Sequence, residues 1–382
     1  MKFSTLEGNI GFILIKLFQC LPIERKIVFV SFYGNYISDS PKEIFLNLKK
    51  SNNNYRYVWL VKDATKKIEG ARSVKIKSIA ALYHMATAKA WVDNCRKREW
   101  VTKRKGQFYL QTWHGGIGMK KSEGQVEEKL ERKYIQCAKN DSSMIDVLLS
   151  GSKWCTELYS NWFWYDGPVL ETGCPRSDIF YMKEEWDSIK KRIYQELGIP
   201  QRKKLILYAP TFRQNYQIEK DKFHIDANEA AKTRWGGEWV TAVRLHPNVC
   251  NKWDILDYDE TTVNASNYEN MNELIIACDI LVTDYSSCMF DGLEAGKKVI
   301  LYMPDYEDYK NSRDFCWNIE ELPFPAARGE NELRDKILSF DESTYEKKRT
   351  EFMHRCCFVN SSTSTEKAVS YLLEKLNCNS SL

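Results

Sequence analysis

The chain has 382 residues, 43% hydrophobic and 28% charged, which is enough for two domains with cores of their own. A net charge of +4 is too small to argue for nucleic acid. Twelve cysteines scattered singly, with no C-x-x-C pair and only the doublet Cys356 and Cys357, argue against a zinc site and for free thiols in a reducing compartment.

Residues 1–24 read as a short amphipathic helix whose apolar run from Ile10 to Leu21 is interrupted by Lys16 and Gln19. The run is too short to span a bilayer, so it either packs as a core helix or rests in a membrane interface. A strand over 26–32 follows, and Ser40, Pro41 and Glu43 supply an N-cap, a first-turn proline and a capping-box acid for a helix to Lys50. A strand at 55–61 and a helix at 79–88 continue the alternation of a doubly wound sheet. From Trp91 to Gln107 runs a basic cluster of Arg96, Lys97, Arg98, Lys103, Arg104 and Lys105 around Trp100. It is either a solvated loop or a patch that meets anionic lipid.

The strand at 107–113 ends in His114, Gly115 and Gly116. A histidine at the carboxyl end of a strand, followed by glycines that admit a substrate to the backbone, stands where a general base is expected. Helices at 127–138 and 153–162 flank a strand at 145–150, and a strand at 169–172 leads to Gly173, Pro175 and Arg176. The forked donors of Arg176 suit a phosphate oxygen, or a pair with Asp178. A helix at 183–197 stops at Gly198, Ile199 and Pro200, where the domain boundary is placed.

The second half opens with a strand at 204–208 closed by Ala209, Pro210 and Thr211, with Arg213 beyond; the polar stretch 214–235 reads as a mobile loop. In a strand at 240–247, Arg244 and His246 are two apart and point to the same side. They suit a phosphate that gains charge during reaction, or a buried pair that neutralises carboxylates. Ile280, Leu281 and Val282 then form a short buried strand, which Asp284 and Tyr285 break. Ser286 and Ser287 open a helix carrying Met289, Phe290 and Leu293 to Gly296, and a strand at 299–302 follows. Two hydroxyls and unpaired N–H groups at a helix's positive end suit a phosphate, and Asp291, one turn on, could accept from ligand hydroxyls. The alternative is that the serines only cap the helix. An aromatic and proline-rich loop at 311–330, a helix at 343–357 and a last helix opened by Thr363 and Glu366 complete an α/β chain.

QTWHGG at 111–116, TGCPRSD at 172–178, YAPTFR at 208–213, RLHP at 244–247 and TDYSS at 283–287 with Asp291 occur in that order. With SDSPKEI at 38–44 and NIEELPFP at 318–325, they resemble the CDP-glycerol glycerophosphotransferase family, the teichoic acid primases and polymerases. The likeness covers residues 25–375. It implies a GT-B architecture, two Rossmann-like domains facing across a cleft. The expected divisions are 1–24 as the amphipathic helix, 25–198 as the acceptor domain, 199–345 as the CDP-alditol-binding domain and 346–382 as helices crossing back to the first.

The resemblance also implies transfer of glycerol phosphate from CDP-glycerol, or another CDP-alditol, with release of CMP. The acceptor would be a hydroxyl of a polyprenyl-diphosphate-linked saccharide or growing polymer of teichoic acid or capsule type. The protein would sit peripherally on an anionic membrane surface at the cytoplasmic face, with no cofactor, no metal and no nucleic acid partner. His114 becomes the catalytic base and His246, with Arg244, a stabiliser of the transferred phosphate. Gly115, Gly116, Arg176, Pro210, Thr211, Leu245, Ser286, Ser287 and Asp291 would line the donor site. Gly116 stands where many members have threonine, and the proline after it is missing. The D-x-D from Asp257 to Asp259 falls in a polar loop away from these motifs. A CDP-ribitol enzyme, a GT-B nucleotide-sugar transferase sharing the fold, and a non-catalytic binder with a relic site are the other readings.

Overall fold

The structure, a computed structural model, describes residues 6–51, 53–211, 227–245, 259–312 and 314–378. The expectations for Arg213, for the 214–226 part of the loop expected at 214–235, and for His246, Pro247 and Asp257 lie outside these residues; the rest of that loop is corrected, because Asn228–Trp235 is a helix. By contacts the chain divides into two units, Met1–Gly116 with Ser122–Asp178 and Phe358–Leu382, and Ile117–Lys121 with Ile179–Cys357.

The first unit holds, among the described residues, seven strands: β1 Glu24–Val30, β2 Arg56–Val61, β3 Arg72–Lys75, β4 Ala88–Asp93, β5 Phe108–Gln111, β6 Val147–Leu149 and β7 Val169–Leu170. All pair in parallel, in the order β3-β2-β1-β4-β5-β6-β7. A parallel sheet covered by helices on both faces needs near-continuous apolar runs, and β1 supplies Ile27, Val28, Phe29 and Val30, all buried. Ile44 and Leu48 of the helix Asp39–Lys50 and Ala368, Leu372 and Leu376 of the last helix, Ser364–Cys378, pack on Phe29, Trp59 and Leu110. Spacings of four keep these residues on one helical face, and each fully buried leucine contributes about 1.5–3 kcal/mol.

The central strand β4 was not legible in the sequence. Its run AKAWVD follows the helix Ile79–Thr87 without an intervening turn residue, so the helical pattern reads straight into it. The basic cluster is corrected as well. Arg96 and Lys97 are not a lipid-facing patch: they are 5% and 6% exposed and paired with buried carboxylates, Arg96 to Glu123 and Asp141, Lys97 to Asp93. Lys103 pairs with Asp146 and Arg104 donates to the Gln19 carbonyl, which leaves Arg98 and Lys105 exposed.

The N-terminal helix, Leu6–Phe18, is docked: Ile15 is fully buried, Phe18 meets Tyr83 edge to face at 5.7 Å, and Gly11 lies against the Trp100 ring. Its outer side keeps Ile10, Ile13, Leu17 and, just beyond the helix, Leu21 exposed. Among the described residues no helix is long and apolar enough to cross a membrane.

The second unit holds, again among the described residues, β8 Lys204–Ala209, β9 Trp239–Val243, β10 Thr262–Asn264, β11 Ile280–Thr283, β12 Lys298–Tyr302 and β13 Ala326–Ala327. They are parallel, in the order β10-β9-β8-β11-β12-β13. The helix Trp186–Glu196, expected to close the first domain, groups with this unit, as does Glu342–Arg355; Phe358–Leu382 returns to the first. Ile189 and Ile193, four apart and buried, give Trp186–Glu196 its inward face.

Each sheet is wound outward from one central pair, β1 with β4 and β8 with β11. The loops leaving the carboxyl ends of such a pair diverge and open a crevice, which is where ligands bind in open α/β sheets.

Candidate active site

In the first unit the loops after β1, β4 and β5 meet at that crevice, and Asn94 ties them together. Its Oδ1 accepts from the Phe32 N–H at 2.8 Å, its Nδ2 reaches Ser31 Oγ at 3.5 Å, and its backbone carbonyl lies 2.6 Å from His114 Nδ1. A carbonyl only accepts, so Nδ1 carries the proton and the lone pair of the neutral ring is on Nε2. The imidazole stacks on Trp113 at 4.6 Å and meets Phe32 edge-on at 5.8 Å. Burial among these rings pushes the His114 pKa below its ordinary 6.5, and nearby Arg176 adds to the fall, while the Asn94 bond and Asp39 oppose it.

Trp113 is itself held. Its backbone sits in the left-handed region at φ +52°, its ring packs on Phe163 at 4.8 Å, and the Arg96 guanidinium lies 5.3 Å from its centre. Arg96 is fixed by Glu123 at 3.2 Å, Asp141 at 3.3 Å and Ser142 Oγ at 2.7 Å. The arginine that the sequence pattern assigned to a surface patch therefore supports the ring beneath His114.

Arg176 pairs with Asp39 rather than Asp178, Nη1 to Oδ2 at 3.2 Å. Asp178 instead accepts from the N–H groups of Ser364 and Thr365, at 3.2 and 2.8 Å, at the start of the last helix. Asp39 is in the left-handed region at φ +65° and begins its helix two residues earlier than expected, with Ser38 rather than Ser40 as the N-cap; the Ser40 hydroxyl accepts from Arg176 N–H at 3.3 Å. The Gly115 carbonyl accepts from Tyr159 OH at 3.2 Å, while a Cβ on Gly116 would meet nothing within 4 Å.

In the second unit the crevice between β8 and β11 is closed by Asp284, which is 2% exposed. Its carboxylate accepts from Thr211 N–H at 2.9 and 3.0 Å, Thr211 Oγ1 at 2.6 Å and Tyr285 N–H at 2.6 Å. Pro210 and Thr211 are half-buried beside it, as are Ser286 and Ser287. Ser286 Oγ accepts from Cys288 N–H at 3.4 Å, and Ser287, the N-cap of the helix Cys288–Glu294, makes no side-chain capping bond. Asp291 is buried within that helix. Arg244 lies one residue past β9, half-buried, with its N–H on the Tyr208 carbonyl at 2.8 Å. Leu245 is buried, its N–H donating to Ser266 Oγ at 3.0 Å. Tyr285 stacks on Tyr309 at 3.8 Å and bonds Asp305 at 3.2 Å, and this stack extends to Phe315.

Asn94, Asp39, Arg96 and Asp284 were not assigned to the site from the sequence, although Asp39 and Asp284 lie within its motifs. Asp284 carried a positional signal as well, an acid directly after a buried strand at the carboxyl end where ligands bind.

Two parallel sheets wound in the same order, each with polar groups gathered at its central crevice, define a GT-B-like α/β transferase fold. The chain belongs to the CDP-Glycerol:Poly(glycerophosphate) glycerophosphotransferase family, an enzyme family that it matches over residues 13–374. It is 30% identical over 392 residues to a teichoic acid poly(glycerol phosphate) polymerase of Bacillus spizizenii, covering 98% of both chains. A Staphylococcus aureus teichoic acid glycerol-phosphate transferase is 30% identical over 367 residues, 92% of this chain and 94% of the relative. A polymerase of Staphylococcus epidermidis is 31% identical over 361 residues, 90% of this chain, which spans 49% of that relative's length. A solved structure of the wall teichoic acid polymerase TagF superposes with a TM-score of 0.85 at 28% identity, covering 97% of this chain and 95% of that one. A UDP-GlcNAc 2-epimerase from Neisseria meningitidis, at 13% identity and a TM-score of 0.56, shares the fold alone.

Proposed function

We propose that the protein transfers glycerol phosphate from CDP-glycerol to a hydroxyl of a membrane lipid-linked saccharide or growing teichoic acid polymer. The observation that carries the reading is the His114 imidazole, fixed by the Asn94 carbonyl as the tautomer whose Nε2 can accept a proton. The acceptor oxygen attacks the glycerol-bearing phosphorus, the bond from that phosphorus to the bridging oxygen breaks, and CMP leaves with the electron pair. His114 Nε2 takes the acceptor's proton as the new phosphodiester forms.

In this reading Gly115 and Gly116 keep the approach to the imidazole open, and Arg176 adds positive charge beside it. Pro210, Thr211, Ser286 and Ser287 line the donor's diphosphate, Asp284 holds Thr211 in place, and Arg244, with His246, stabilises the transferred phosphate. A variant of TagF soaked with CDPG supports the choice of donor. The exposed apolar side of the helix Leu6–Phe18 supports a peripheral seat on the membrane, which this reading puts at the cytoplasmic face.

The test is CMP release from CDP-glycerol with a short prenyl-diphosphate-linked saccharide, and the mass of the product. Turnover with wild type and its loss in His114→Gln are expected. Turnover with CDP-ribitol in place of CDP-glycerol, or release of UDP or GDP from a nucleotide sugar, would replace the donor in this reading.

A further inference from the structure

A cavity of about 650 Å³ opens beneath the N-terminal helix, entirely within the first unit. That volume is in the range of pockets that hold a small organic ligand. Its walls are apolar, formed by Leu14, Val30, Leu82, Met85, Trp100 and Val101. Ile10 and Ile79 also line it and are 48% and 62% exposed, so the cavity is continuous with the exposed apolar side of the helix.

Three exposed cations, Lys62, Lys77 and Arg98, line it too. Among the described lining residues the carboxylate is that of Asp93, which Lys97 neutralises at 2.7 Å. Asp93 and Val30 are the last residues of β4 and β1, and Asn94, next in the chain, holds His114. The lining thus leads from the apolar outer surface to the strand ends that carry the catalytic loop.

Apolar walls with a cationic fringe select an amphiphile: hydrocarbon for the walls and a phosphate for the lysines. A free sugar would leave its hydroxyls unpaired against leucine and tryptophan. We propose that this cavity takes the hydrocarbon chain of a prenyl phosphate, with its phosphate end at Lys62, Lys77 and Arg98. The inference rests on the reading that the acceptor is lipid-linked, and it gives that lipid a seat next to the strand ends from which the base is held.

Calorimetry on the full chain tests it, with farnesyl diphosphate, inorganic diphosphate, a short-chain phosphatidylglycerol and CDP-glycerol as titrants. Farnesyl diphosphate should bind and inorganic diphosphate should bind at least about tenfold more weakly, the difference that about two buried methylenes make. Leu82→Trp, which fills the cavity, should weaken farnesyl diphosphate by about tenfold or more and leave CDP-glycerol binding as in wild type. A Lys62→Glu, Lys77→Glu double variant, altered only at exposed positions, should weaken it too, and serves if the filled variant does not fold. Equal binding of the two diphosphates, undiminished binding in both variants, or displacement by phosphatidylglycerol would overturn the proposal while leaving the donor reading intact. Farnesyl diphosphate binding without any CDP-glycerol binding would do the reverse, sinking the donor reading and sparing the cavity.

Discussion

Asp284→Ala removes one carboxylate on which the crevice of the second sheet depends. Three donors converge on it: the N–H and hydroxyl of Thr211 and the N–H of Tyr285. Thr211 is half-buried, so water can reach its groups once the acceptor is gone; Tyr285 is 1% exposed, so water cannot take the place of the carboxylate at its N–H. Hydrogen bonds to a charged group are worth about 1.5–3 kcal/mol each, and partial replacement by water at Thr211 leaves a net loss of about 2–4 kcal/mol. Asp284→Asn keeps one side-chain oxygen, and since all three donors reach Oδ1 it should lose only about 1 kcal/mol. Urea unfolding of both variants beside wild type gives the stabilities. Calorimetry with CDP-glycerol reads the second consequence: with Thr211 released, the alanine variant should bind the donor more weakly than its asparagine counterpart. An alanine variant as stable as wild type, or equal donor affinities in the two, would refute the argument that this carboxylate organises the crevice.

The remaining expectations concern the first unit. His114→Ala should lower kcat by about 10²–10⁴, the usual contribution of a general base. Because burial lowers its folded-state pKa, the ring stays neutral to a lower pH than a free histidine, so the acid limb of kcat/KM should fall below 6.5. The unfolded chain binds that proton more tightly, so the stability associated with the neutral ring is complete above 6.5 and is lost as pH falls from there through the folded value. Arg176→Met removes a charge that depresses His114 and should move the acid limb upward; Asp39→Asn should move it downward, and a pH profile of both reads the sign. Arg96→Met strands Glu123 and Asp141, whose side chains are 1% and 0% exposed, and should cost about 3–5 kcal/mol by denaturant unfolding at neutral pH. Burial already pushes Asp141 up to about 6 even beside Arg96, so the deficit should shrink in acid as the stranded Asp141 carboxylate takes up a proton.

Short strands rich in branched residues, such as those at Ile27–Val30 and Ile280–Thr283, were legible because a two-sided buried strand must be apolar along its whole length. So was the position of His114, since a polar residue followed by glycines can only end such a strand. Strand β4 was not: AKAWVD has no turn before it, and its alanines suit a helix until the neighbouring strands claim its hydrogen bonds. Arg96 and Lys97 looked like surface because cations usually are; only the chain brought back at Glu123 and Asp141 makes Arg96 a buried support.

By itself the sequence determined the alternation of strands and helices, the ends of strands at which polar residues collect, and, through its ordered motifs, the family. The tertiary structure alone decided strand order, and with it which of those ends meet. The crevices fall between β1 and β4 and between β8 and β11, elements far apart in the chain whose pairing no local pattern encodes. It also decided partners: Arg176 with Asp39, His114 with Asn94, Asp284 with Thr211, each a choice made by distance between residues that the sequence holds well apart.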